Sequence, residues 1–195
     1  MLYRKIWIVV LCFLCACSSH KYKNPHVQIQ TKFGNIEVEL YPQQAQKTVA
    51  AFLSYVDSGF FNNSSFYRIL NLDNQPSNAP KSELIQGGIW KSNYKLAARL
   101  PGIPLETTQQ TKILHTDGTI SLARQDLNSG NTEFFICIGN QHGFDYGGAN
   151  NPDGQGYAAF GKVVDGMDIV IKIYHAPEDD QSFTPPVPIY NIIRL

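Results

Sequence analysis

Arg68 stands in the middle of an apolar stretch, "FYRIL" (66–70). Arginine is always protonated, and its guanidinium offers a rigid planar fork of donors. Set among hydrophobes it has two readings. One is a surface strand arginine paired with a carboxylate; the other is a donor aimed at charge that develops in a site poor in water. Other patterns fall away. "GQGYAA" (154–159) has the letters of a dinucleotide fingerprint, but a loop precedes it and a strand-like segment follows, where the fingerprint needs a strand and then a helix. An EF-hand aligned on Asp153-Gly154 would place ligands at Ala149 and Phe160, and neither can serve. The histidines (His20, His26, His115, His142 and His175) form no metal-spaced pair. His142 lies close before Asp145, yet no G-x-S-x-G marks a nucleophile. No cofactor and no metal are expected.

The elements that must carry Arg68 are short. Strand side chains alternate faces, so strict alternation puts Arg68 on one face with Phe66 and Leu70. "VQIQT" and "GNIEVELY" alternate apolar and polar residues and predict a hairpin turned at Lys32 to Asn35. Ala45, Val49, Phe52, Leu53 and Val56 fall at helical spacing, which predicts an amphipathic helix over 43–56. Further strands are expected at "ELIQGG", "TISLA", "EFFICIG", "YAAFGKVV" and "PVPIYNIIRL", and a second helix over 165–176. The segment 90–116 reads mostly as loop. Many short strands with few helices predict a mainly β chain closed into a barrel.

The chain has 195 residues, 43% hydrophobic, with 16 basic and 16 acidic side chains and zero formal net charge. No basic stripe points to nucleic acid. Residues 1–16 have the layout of a secretory signal: a positive start, the apolar run "IWIVVLCFL", then small residues. That run is too short to span a bilayer. If Cys12 and Cys15 leave with the signal and Cys17 is modified, Cys137 alone remains and no intramolecular disulfide can form.

The motifs "FYRIL", "LIQGG", "ISLAR", "EFFICIG", "GFD" and "YAAFGKVVDGMDIV" follow one another in an order that resembles the cyclophilin family of peptidyl-prolyl cis–trans isomerases. The resemblance covers nearly everything from Val27 to Leu195. It implies an eight-stranded antiparallel barrel capped by two helices, with a groove on the barrel's outer face. It also implies rotation of X–Pro bonds in polypeptides, with Arg68 as the catalytic residue. Gln86 would bond the substrate backbone. Leu84, Phe135 and Phe144 would line the proline pocket, with Ala123 beside the substrate chain. The family pattern differs here at Tyr67 (usually histidine), Glu83 (phenylalanine), Arg124 (asparagine), Glu133 (glutamine), Gly143 (often tryptophan) and Tyr157 (histidine). Glu83, Arg124, Glu133 and Tyr157 therefore join the expected substrate-binding set, and Glu83 or Glu133 is expected to pair with Arg68. The altered rim keeps a second reading open, a non-catalytic peptide-binding or chaperone module on the same groove.

"L-C-A-C" ending at Cys17 resembles a bacterial lipobox. It implies cleavage before Cys17, a lipid on its sulfur, a polar tether over 17–25 and an isomerase domain over 26–195. The partners expected are proline-containing polypeptides and, through the anchor, a membrane of the cell envelope on its periplasmic or outer-surface side. A monomer is expected, active in the folding of exported proteins.

Overall fold

A computed structural model describes residues 22–195. The chain opens with β1 (His26–Thr31) and β2 (Gly34–Leu40), an antiparallel hairpin in the predicted place. Alternation sends Val27, Ile29, Ile36, Val38 and Leu40 inward, all fully buried. At the tip the Thr31 hydroxyl donates to the Gly34 carbonyl (2.8 Å) and accepts the Phe33 N–H (3.1 Å). Gly34 has φ +134°, and a Cβ there would lie 2.8 Å from Ile169, so the hairpin needs glycine where it meets a helix.

Helix α1 (Gln46–Asp57) buries Val49, Phe52, Leu53 and Val56, as its period predicts. No side chain at its N-cap bonds the first turn. The Glu106 carboxylate takes that place, accepting the N–H of Lys47 (3.0 Å) and of Thr48 (2.8 Å) and the Thr48 hydroxyl (2.7 Å). β3 (Ser64–Leu70) and β4 (Leu84–Gly88) follow. The segment 90–116 is not all loop. It holds α2 (Trp90–Arg99), kinked at Asn93, and α3 (Thr108–Thr111), which begins with a Thr107/Gln110 capping box. α2 carries apolar residues at helical spacing, Trp90, Tyr94 and Ala97, but Trp90 and Tyr94 stay exposed and Ala97 alone of its residues is buried. It is fixed from outside, by the Glu133 carboxylate at its start and by Asn131 Nδ2 donating to the Ala97 carbonyl (2.9 Å).

β5 (Thr119–Leu122), β6 (Phe134–Cys137), a single 3-10 turn (His142–Phe144), β7 (Ala158–Asp165), α4 (Met167–Tyr174), β8 (Glu178–Asp179) and β9 (Ser182–Arg194) complete the chain. The strands run antiparallel in the order β1-β2-β7-β5-β6-β4-β3-β9, and β9 pairs back onto β1. Eight strands therefore close a barrel, and the two-residue β8 is an outer addition to β9. Closure leaves those eight without a free edge. Inside, Phe52 of α1 meets Phe61 (5.2 Å between centroids), Phe134 (6.0 Å) and Phe160 (5.0 Å), and Phe66 meets Phe134 edge-on (5.8 Å). α1 packs against β7 and β9, and α4 against β2 and β4.

The described part of the predicted tether lies on the barrel. Tyr22 stacks on His26 (3.8 Å), Asn24 Nδ2 donates to Glu39 (2.9 Å), and the Pro25 carbonyl accepts the Leu40 N–H (2.9 Å). Cys17 and the predicted signal segment lie outside the described residues.

Candidate functional site

β3 does not alternate strictly. Its register with both β4 and β9 shifts between Phe66 and Arg68, so the strand carries a bulge at Tyr67. The extra residue changes the phase. Phe66 and Ile69 belong to the barrel core, whereas Leu70 joins a separate apolar cluster with Leu84, Phe135, Cys137 and Phe144. The expectation that Arg68 shares a face with Phe66 is therefore corrected: Arg68 shares its face with Leu70 alone. Without the bulge one of these residues would face the wrong compartment.

Register then sets a row across four strands, β3, β4, β6 and β5. Arg68 pairs with Gln86, Gln86 with Phe135, and Phe135 with Ser121. A neighbouring row runs Leu70, Leu84, Cys137. Ala123 and Tyr157 pack against the apolar cluster from the side. The three rings meet closely: Phe135–Phe144 at 5.2 Å, Phe135–Tyr157 at 5.5 Å and Phe144–Tyr157 at 5.2 Å, the last two edge-on. The predicted residues Arg68, Gln86, Leu84, Phe135, Phe144, Ala123 and Tyr157 thus come together on the outer face. Cys137 lies among them as a buried thiol whose pKa burial pushes up, so it acts as a small hydrophobe.

Arg68 is held on two sides. Nη1 donates to Gln86 Oε1 (3.1 Å), and Nη2 (2.7 Å) and Nε (3.3 Å) donate to Gln181 Oε1. Gln181 precedes β9 and is fixed in turn, donating to the Asn74 carbonyl (3.1 Å). Sequence reasoning missed Gln181. It reaches Arg68 across 113 positions of chain, and its neighbours form no motif.

Neither Glu83 nor Glu133 touches Arg68, which corrects the expected pairing. Glu83 accepts the Tyr174 hydroxyl (2.7 Å). Glu133 Oε2 accepts the Tyr67 hydroxyl (2.8 Å). Its Oε1 accepts the N–H of Ile89 (2.9 Å) and Trp90 (3.1 Å) and the Thr132 hydroxyl (3.0 Å). Burial raises the Glu133 pKa, and those bonds oppose the rise. Tyr67 Oη also accepts Gln86 Nε2 (2.9 Å). Burial, and then the Glu133 charge, push the Tyr67 pKa far up, which keeps its proton in place.

Arg124 is likewise engaged within the chain. Nε donates to the Gly156 carbonyl (2.9 Å), and Nη1 and Nη2 hold both oxygens of Asp153 (2.8 and 2.7 Å). The guanidinium also sits 5.3 Å from the Tyr157 ring centroid. Arg124 therefore pins the Gly-rich loop and steadies Tyr157.

Behind the aromatic floor lies a second residue that sequence reasoning passed over. His115 stacks on Phe135 (5.9 Å) and meets Phe144 edge-on (5.8 Å). Its Nδ1 lies 2.8 Å from Asp145 Oδ1, and its Nε2 lies 3.0 Å from Ser121 Oγ. These contacts copy the connectivity of a serine hydrolase triad. His115 and Ser121 are both 0% exposed, so no substrate can meet the hydroxyl. Burial lowers the His115 pKa and favours the neutral ring. For Asp145 burial acts upward, but bonds from His115 and His142 outweigh it and hold the carboxyl low. The Asp145–His115–Ser121 line props the floor.

Comparison with known proteins agrees with this geometry. The family model for cyclophilin type peptidyl-prolyl cis-trans isomerase/CLD matches residues 26–194. A peptidyl-prolyl cis-trans isomerase of Acinetobacter baylyi is 33% identical over 172 residues, 88% of this chain and 83% of that protein. Peptidyl-prolyl cis-trans isomerase B of Escherichia coli is 30% identical over 168 residues, 86% and 94% of the two chains. A crystal structure of a Cryptosporidium parvum cyclophilin type isomerase superposes with a TM-score of 0.67 at 20% identity, over 88% of this chain and 97% of that one. The same protein, solved in the presence of the dipeptide Ala-Pro, superposes at 0.66, with 21% identity over 86% and 97% of the two chains.

Proposed function

Because the chain belongs to the cyclophilin-type peptidyl-prolyl cis–trans isomerases, we propose that it rotates X–Pro bonds in exported polypeptides at the outer-face groove and so assists their folding. The observation that carries this is the placement of one clamped guanidinium beside an apolar aromatic cluster. Resonance gives the X–Pro amide partial double-bond character, and rotation meets a barrier of roughly 20 kcal/mol. Twisting the bond returns a lone pair to the proline nitrogen. A donor aimed at that nitrogen stabilises the twisted state over both planar ones. Arg68 supplies such a donor. Three of its bonds go to Gln86 and Gln181, which fix the fork and leave two of the five N–H groups of an arginine for substrate. Phe135, Phe144, Leu84 and Tyr157 would hold the proline ring, and Gln86 and Ala123 would meet the peptide backbone. The Ala-Pro dipeptide used with the Cryptosporidium protein is of the same ligand class. No proton leaves or enters, so no general acid or base is needed.

The enzyme would work as a monomer from a lipid anchor at Cys17, on the periplasmic or outer-surface side of an envelope membrane. The support is the lipobox-like "L-C-A-C" and the apolar run before it. Two experiments test the whole reading. Residues 18–195 should speed cis–trans exchange of an Ala-Pro peptide, and Arg68→Ala should lose about 100-fold of that rate. Equal rates would remove Arg68 from catalysis, and binding without exchange would leave only a peptide-binding module. The full chain expressed in bacteria should take up labelled fatty acid and sediment with membranes. Cys17→Ser should abolish both, and membrane association that survives it would overturn the anchor.

A further inference from the structure

Tyr67 and Glu133, two positions where the chain leaves the family pattern, touch each other at 2.8 Å. We propose that this pair is a positioning unit that sets the orientation of the Gln86 amide and, through it, of Arg68. The direction of the bonds follows from one end. A carboxylate can only accept. Four donors converge on Glu133: two backbone N–H groups, the Thr132 hydroxyl and the Tyr67 hydroxyl. Tyr67 must therefore spend its single proton on Glu133. Its oxygen is left as an acceptor, which only the NH2 end of Gln86 can satisfy (2.9 Å). The carbonyl end of Gln86 is then the one that faces the guanidinium (3.1 Å). Reverse any one of these bonds and Gln86 turns an NH2 group towards Arg68.

Space and backbone are fitted to the same arrangement. The carboxylate sits against Gly88, where a Cβ would fall 2.5 Å from Glu133 Oε2. Its Oε1 receives the first turn of α2, so the helix and the arginine are tied to one carboxyl group. Glu133 and Tyr67 are positioning residues; neither bonds Arg68 directly.

This inference rests on the assignment of Arg68 to catalysis, and the test separates the two. Two variants are made in residues 18–195. Tyr67→Phe removes one hydroxyl and nothing else. Glu133→Gln keeps the shape but turns an NH2 group towards Tyr67, which reverses the chain of donors. Each should lower kcat/KM for an Ala-Pro peptide about tenfold. The double variant should be no slower than the slower single one, because both break one linear chain. The nitrogen-15 NMR signals of the Gln86 amide and of Arg68 Nε–H, identified by their loss in Gln86→Ala and Arg68→Lys, should move in both variants. Unmoved signals in Tyr67→Phe would overturn the proposal, as would additive losses in the double variant. If the wild-type protein were inactive, the isomerase assignment would fail while the NMR signals still decided the positioning role. If Glu133→Gln failed to fold, Tyr67→Phe would decide alone.

Discussion

The arginine side chain is charged at every accessible pH, so an exchange that relies on it should stay nearly flat from about pH 6 to 9. A bell-shaped profile would instead demand a titrating acid or base. Arg68→Lys keeps the charge but loses the fork that Gln86 and Gln181 clamp, and should fall close to Arg68→Ala in the same assay. Adjacent residues on β6 give a second contrast. Phe134 points into the barrel among Phe52, Phe61 and Phe66, and Phe135 points out among Phe144 and Tyr157. Phe134→Ala should cost about 3–5 kcal/mol in urea unfolding. Phe135→Leu, which keeps much of the volume, should cost less, about 1 kcal/mol in urea unfolding, and raise KM for the peptide. Phe135 was legible in the sequence, through "EFFICIG" and its place in the family order. Gln181 and His115 were not, because their roles come from contacts made across the fold.

Among the elements, α2 depends on a carboxylate that it does not contain. Gly88→Ala should force Glu133 off the N–H groups of Ile89 and Trp90, at a φ of +146° that a Cβ disfavours. The expected cost is about 1–3 kcal/mol, with amide exchange rising over 90–99 before it rises elsewhere. The Gly-rich loop has its own fastening in Arg124. Arg124→Lys cannot hold both Asp153 oxygens and the Gly156 carbonyl at once, so Tyr157 should loosen and KM should rise with kcat little changed. The strands of the barrel were readable because they alternate; Val27, Ile29, Ile36 and Val38 show it plainly. α2 was harder to read: Trp90, Tyr94 and Ala97 fall at helical spacing, but the helix is short, kinked at Asn93 and buries only Ala97. The bulge at Tyr67 was equally hidden. One extra residue changes no composition, yet it decides which of Phe66 and Leu70 joins the outer cluster.

Taken whole, the molecule should weaken in mild acid. Burial holds His115 below its ordinary value of 6.5, so the folded state binds fewer protons there than the unfolded chain. The stability that neutral His115 contributes is full above pH 6.5 and is lost as the pH falls from there towards its depressed folded value. The limiting slope is about 1.4 kcal/mol per pH unit. Asp145 adds a later loss, below its ordinary 3.8, while the raised Glu133 works in the opposite sense. Urea midpoints measured from pH 8 to pH 5 should fall in the wild type. His115→Gln should flatten that fall, and parallel curves would refute the assignment. The apolar residues divide into a barrel core and an outer cluster, so damage to the outer cluster need not be damage to the barrel.

The pairing of β9 with β1 also has a consequence in time. Leu195 donates to the His26 carbonyl (3.1 Å), and Val27 lies opposite Arg194, so the first strand finds its second neighbour only in the last one. A chain synthesised from its N-terminus emerges from the ribosome in that same order. The hairpin β1–β2 can form early, but the ring cannot shut until residues 182–194 have come through. β3, with Arg68, also waits for β9, which brings Gln181 beside it. Until synthesis ends, the isomerase is an open sheet with two unmatched edges, and the strand that carries Arg68 lacks the partner that clamps it.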